Sequence, residues 1–227
     1  MERERIFSRE ELEEMAKPLS ERAIEAIDRG DLQEAKDLIK KIPLGDEMLH
    51  HAYLNWLAIL ISHIGENLGE EALYKAYRRL GEIEFEEQIW NKIKTQKPGI
   101  KQIVNGAARL MRSHFGRFKV EEDDEKITFI NDPCGSGGTL LRGNAYEPPK
   151  KYWKIKKAQP LTFSRGNFPS YCAHCAVVHT IMPIERLGYP HPVVVPPQKP
   201  SDPCIHYFYK DLKSIPKEYY ERVGKSK

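Results

Sequence analysis

The chain has 227 residues, with 36 Lys and Arg against 33 Asp and Glu, four cysteines and sixteen prolines. Such a length buries a sizeable core, so no metal or disulfide is needed merely to rescue the fold. The longest apolar run, Trp56 to Ile61, falls far short of the ~18 residues that suggest a membrane span, and no apolar leader follows the charged start. The expectation is a cytoplasmic protein with no membrane partner, in which a reducing environment leaves the cysteines free for metal or catalysis.

The small net charge of +3 hides a division. Residues 1–132 hold 21 basic and 27 acidic side chains, the remainder 15 and 6, so the C-terminal part attracts anions. Only Pro18, Pro43 and Pro98 precede residue 133, which permits long helices before that point and few after it.

In chain order, Ser8-Arg-Glu-Glu reads as a capping box opening a helix that Gly30 closes. A second helix starts at Asp31 and stops at Pro43. The third, Asp46 to about Asn67, carries Leu54, Leu57, Ile61, Ile64 and Leu68 at helical spacing, with Trp56, Ile59 and Leu60 on a second face. That pattern predicts the central buried helix of a bundle. His50, His51 and His63 on it read as packed or surface residues rather than ligands. Glu70 to Thr95 gives one helix or two, interrupted near Gly81, and Ile100 to His114 another, ended by Gly116.

The pattern changes at Arg117. Phe118-Lys-Val-Glu, an acidic turn and Lys126-Ile-Thr-Phe-Ile predict a β-hairpin that delivers the chain to Cys134. A helix is expected over Tyr171 to Leu187, with Pro183 as kink or end. A second strand pair is expected at Pro192 to Pro196 and Ile205 to Lys210, with Cys204 in the connection. A last short helix runs from Pro216 towards Gly224. The fold class is α+β: a helical bundle over 1–116, then a mixed domain over 117–227 with two β-hairpins and a Cys-x-x-Cys helix, with one continuous globule as the alternative to two domains.

The cysteines carry the chemistry. Cys172-Ala-His-Cys175 has the spacing at which two thiolates grip one tetrahedral ion, and His179, four residues after Cys175, joins the same helical face. Cys134 and Cys204 both follow Asp-Pro, a pair that favours turn or extended backbone. After Cys134, Gly135-Ser-Gly-Gly lets backbone N–H groups curl toward the sulfur. Cys134, Cys172, Cys175 and Cys204 thus form a Cys₄ set that uses every cysteine. Zinc is the first expectation and an iron–sulfur cluster the alternative, with His174, His179 or His206 as substitutes for one thiolate. Four unrelated buried cysteines would be the bland explanation, but each stands beside Pro, Gly or His rather than in an apolar stripe. The loop matches neither phosphate-binding glycine fingerprint. A Cys134 nucleophile with a histidine base leaves Cys175 and Cys204 unexplained.

Lys150-Lys-Tyr-Trp-Lys-Ile-Lys-Lys interleaves cations and rings, a nucleic-acid composition, but its shortness favours an exposed edge strand. With Arg142 and Arg165 it would wall a pocket for a small anionic organic ligand. The hairpin, cysteine, cysteine-bearing helix and second hairpin with Cys204-Ile-His-Tyr resemble, over about residues 99–211, the L-2-amino-thiazoline-4-carboxylic acid hydrolase-like proteins and, more distantly, four-vinyl-reductase-type small-molecule-binding domains. What the resemblance implies is a pocket for a small organic ligand near the cysteines. The functional expectation is a metal-dependent, hydrolase-like enzyme or binder with His174 or His179 transferring protons. The alternatives are a module with purely structural zinc and an iron–sulfur redox protein.

Overall fold

The computed structural model describes residues 6–227; the charged stretch before residue 6 lies outside it. The architecture is α+β, with 57% helix and 11% strand. Two compact units form, one up to Tyr53 and one over Leu54–Lys227, whereas the composition placed the division at 116/117. The difference has a packing cause: Leu73, Tyr77 and Trp90 share one core with Ala173, Val177 and Met182.

In the first unit, α1 (Arg9–Ala16) opens on the expected capping box. The Glu11 N–H donates to Ser8 Oγ at 3.1 Å and the Ser8 N–H to Glu11 Oε2 at 2.7 Å. The helix stops at Lys17 rather than running to Gly30, because Pro18 lacks an N–H and forces Lys17 into extended backbone. Then α2 (Leu19–Asp28) packs Ala23 and Ala26 against Ala35 and Leu38 of α3 (Leu32–Glu84). Pro43 does not end a helix as expected but stands inside α3. It removes one ladder bond at a cost of about 3 kcal/mol.

The break in α3 is at Gly69, with φ 85° and ψ 175°. Past it the helix continues through Gly81, and the expected interruption falls at Phe85, before a π-helical turn (Glu86–Trp90) and α4 (Asn91–Gln96). The stretch 54–68 is not buried all round. Leu54 and Ala58 are buried, whereas Trp56 is 61% and Leu57 49% exposed, so one stripe carries the packing. Ser62 is the polar member of that stripe: its Oγ accepts the Trp153 N–H at 3.0 Å and donates to the Ala58 carbonyl at 2.7 Å. Ser62→Ala should cost about 1–2 kcal/mol in denaturant unfolding by orphaning a half-buried N–H; an unchanged midpoint would remove Ser62 as an anchor.

The sheet is antiparallel in the order β1-β2-β6-β5, formed by Phe118–Glu122, Lys126–Asn131, Cys204–Tyr209 and Val193–Val195. Both expected strand pairs form, and β6 joins them, with Asn131 opposite Cys204 and Phe129 opposite His206. Cys204 therefore begins a strand rather than sitting in the preceding loop. Along β6, Cys204, His206 and Phe208 are buried, alternating with half-buried Ile205 and Tyr207. The amphipathic α5 (Ile100–Ser113) covers the Phe129 and Phe208 face through Ile103, Ala107 and Met111. The other face receives Ile215 and Tyr220, the latter on α9 (Glu218–Glu221).

Between the strand pairs lie α6 (Gly137–Arg142), a two-stranded ribbon of β3 (Lys154–Ile155) with β4 (Phe168–Pro169), and the cysteine helix. That helix runs as α7 (Ala173–Ala176), a π-helical turn (Val177–Ile181) and α8 (Met182–Leu187), and Gly188 ends it at φ 87°. Pro183 lies in the first turn of α8, where its missing N–H costs little. No helix among the described residues is long and apolar enough to cross a membrane.

Candidate metal centre

Sheet register brings the first and last cysteines, Cys134 and Cys204, together. Asn131 Nδ2 donates to the Cys204 carbonyl at 3.0 Å, and three residues beyond Asn131 the chain reaches Cys134. The turn after Cys134 is pressed against the end of α5. A Cβ at Gly135 would collide with the His114 carbonyl oxygen and lie 2.6 Å from the Gly116 nitrogen, so only glycine fits. The Gly138 N–H donates to Cys134 Sγ at 3.0 Å, with those of Ser136 and Gly137 also directed at it.

The consequence is a thiol unlike its neighbours. Cys134 is lowered to about 7, first by the hydrogen bond from Cys204 and then by the backbone N–H groups, against burial. Cys204 is driven well up by that same partnership and by burial. Cys172 and Cys175 are pushed up mainly by burial, then by the neighbouring thiols, while the Arg165 guanidinium opposes the rise at Cys172. All four thiols are free and feel one another electrostatically. Cys172 Sγ would be 2.5 Å from a Cβ on Gly137, which ties the cysteine helix to the Cys134 turn.

The three residues whose ligand atoms all lie within 4.8 Å of one another are His174, Cys175 and His179. The four sulfurs do not form such a compact set among the described residues, although they share one interior. His174 Nδ1 is 2.6 Å from the Tyr171 carbonyl, which assigns the proton there and leaves Nε2, 3.3 Å from Cys175 Sγ, as the acceptor. His179 sits on the π-helical turn, edge-on to Phe85 at 5.3 Å between centroids. Burial is the main cause that lowers His174, and His179 is held well below the usual imidazole value by burial and by the other histidines.

Arg142 and Arg165 lie near the cysteines, but their guanidinium groups are engaged elsewhere. Arg142 contacts Asp132 and donates to the Ser201 carbonyl at 3.1 Å, and Arg165 donates to the carbonyls of Pro196 and Pro197 at 3.2 and 2.8 Å. They brace the loops before Cys204. Lys150 and Lys154 are likewise taken by Asn55 and Glu147.

Beside the centre opens a cavity of about 900 Å³ lined by His179, His191 and His206, by Phe85, Trp90 and Phe208, and by Lys92, Arg109 and Arg112. Sequence reasoning missed His191 and these three cations. The available signal was Arg109-x-x-Arg112, two cations on one face of an amphipathic helix. His206 Nε2 is 3.6 Å from Cys204 Sγ, and burial lowers both His206 and His191 to about 4. No family model matches the chain, and neither a curated protein nor a solved structure matches it.

Proposed function

We propose that this chain is a metal-binding protein whose centre is held by Cys134, Cys172, Cys175 and Cys204, flanked by His174 and His179, and that it acts on a small organic molecule in the adjoining cavity. The observation that carries the reading is that four free thiols, drawn from points up to seventy residues apart, lie in one apolar interior, with Cys175 in a compact group with His174 and His179. Burial alone penalises each thiolate, whereas a bound cation reverses that penalty and makes the convergence favourable. His174, fixed through Nδ1, offers Nε2 to the same centre. Zinc is the first candidate, since buried thiolates and imidazoles are its ordinary ligands. When bound, such an ion polarises a ligand carbonyl or acidifies water. His179, on the cavity wall and within 4.8 Å of the Cys175 ligand atom, then carries a proton in the hydrolase-like chemistry this reading favours.

One observation favours a second reading, an iron–sulfur cluster: several backbone N–H groups aim at Cys134 Sγ, and such bonds tune cluster potentials. Elemental analysis and a visible spectrum of anaerobically purified full-length protein separate the two. Zinc at roughly one per chain without colour supports the first, and a brown protein with iron and labile sulfide the second. Cys134→Ser and Cys204→Ser should each lose most of the bound metal. Both readings fail if the wild type takes up neither zinc nor reconstituted iron–sulfur, or if Cys204→Ser keeps the full complement.

A further inference from the structure

The cavity offers a ligand three kinds of surface. Its walls include Phe85, Trp90 and Phe208; its charged lining residues are Lys92, Arg109 and Arg112, with no carboxylate among the described residues that line it. In its depth sits His206, only 6% exposed, whose Nδ1 is buried without a hydrogen-bond partner while Nε2 leans on Cys204. A buried ring nitrogen without a partner is uncommon in a folded protein and marks a place where another polar atom is received. Both π-helical turns supply lining residues, Gln88, Ile89 and Trp90 from one and His179 from the other, and such turns recur at functional sites. The volume lies in the range of small-ligand pockets.

We infer that this cavity binds a small organic anion with an aromatic or branched apolar body, its charge at Arg109 and Arg112 and a hydrogen-bonding group at His206 Nδ1. The inference gives the proposed function its ligand class, but the binding itself needs no metal. Three lining cations without a lining carboxylate select the anion, and the aromatic walls select the apolar body over a sugar or a bare phosphate. His206 couples the two regions, because a ligand on Nδ1 is separated from Cys204 by one imidazole ring. Gly106 lines the same space, and a Cβ built there meets nothing within 4 Å, so this stretch of α5 backbone is open to the ligand.

Fluorescence titration of full-length protein with anilinonaphthalene sulfonate, and with uncharged anilinonaphthalene, tests this on metal-loaded and metal-stripped samples of measured metal content. The expected result is saturable binding of about one sulfonate per chain, with the uncharged parent about tenfold weaker or more. Gly106→Trp should fill the space and weaken both probes at least about tenfold. Arg109→Glu with Arg112→Glu, both on the exposed side of α5, should weaken the sulfonate and leave the parent unchanged. Equal affinity for the two probes, unsaturable binding, or an unaltered titration in Gly106→Trp would overturn the inference. Probe binding by a protein that takes up no metal on reconstitution leaves the inference standing and removes the metal reading; metal uptake without probe binding does the reverse.

Discussion

Acidification from pH 7.5 to 5 is expected to remove about 4 kcal/mol of stability from the metal-free protein, through His191 and His206 alone. Burial lowers both imidazoles to about 4, against about 6.5 in the unfolded chain. Between those values the unfolded state binds the proton and the folded state refuses it, so protons are taken up on unfolding and stability falls with pH. The loss starts as pH drops through about 6.5 and ends only near 4, where the folded imidazoles also protonate. His174 and His179 are depressed as well and act in the same sense. Carboxylates with lowered values, such as Asp123 and Glu185, contribute only nearer pH 4, so they do not confuse the upper window. Urea unfolding in a chelating buffer at half-unit intervals checks this. His191→Gln should roughly halve the slope, and a flat profile from 7.5 to 5 would show that these rings are solvated.

Gly135→Ala is expected to cost about 3 kcal/mol or more and to disorder the Cys134 turn. The clash is with backbone on two sides, the His114 carbonyl and the Gly116 nitrogen, and neither can rotate away as a side chain would. The matching control is Gly106→Ala, where the new methyl meets no atom within 4 Å and helix propensity favours alanine by about 0.5–1 kcal/mol. The pair should therefore move thermal midpoints in opposite directions. Equal midpoints for Gly135→Ala and wild type would mean that the turn does not approach the end of α5 as closely as described. If the turn alone gives way, the alkylation rate of Cys134 should rise steeply while the far-ultraviolet spectrum stays unchanged.

The α+β class, both strand pairs and the Cys-x-x-Cys helix were legible because each rests on local periodicity or turn chemistry. Of the glycines after Cys134, Gly137 and Gly138 do direct their N–H groups at its sulfur. Helix ends were less legible. Pro43 sits inside α3 and Pro18 divides what read as one helix, because neighbours and tertiary packing decide whether a proline stops a helix or is carried through it. The apolar second face of residues 54–68 predicted burial, but periodicity does not say how far each face is covered, and Trp56 stays 61% exposed. The cavity was invisible for a different reason: its imidazoles come from the cysteine helix, the loop before β5 and β6, and its cations from α4 and α5. Arg142 and Arg165 were near in sequence to the cysteines, yet loop carbonyls needed donors and took them.

The alternation along β6 has an evolutionary consequence. Cys204, His206 and Phe208 occupy successive positions on one face, so thiol, imidazole and aromatic wall are spaced by the strand repeat alone. A shift of one residue in pairing would turn Cys204, His206 and Phe208 to the opposite face and bring Ile205 and Tyr207 into their place. Phe208 would leave Phe129 and Tyr209 would leave Ile215 and Tyr220, so stability would fall together with the loss of thiol, ligand contact and ring. Insertions and deletions of single residues between β5 and β6 are thus tolerated only if the loop absorbs them, and descendants of this chain should vary that loop in length while keeping the strand in phase.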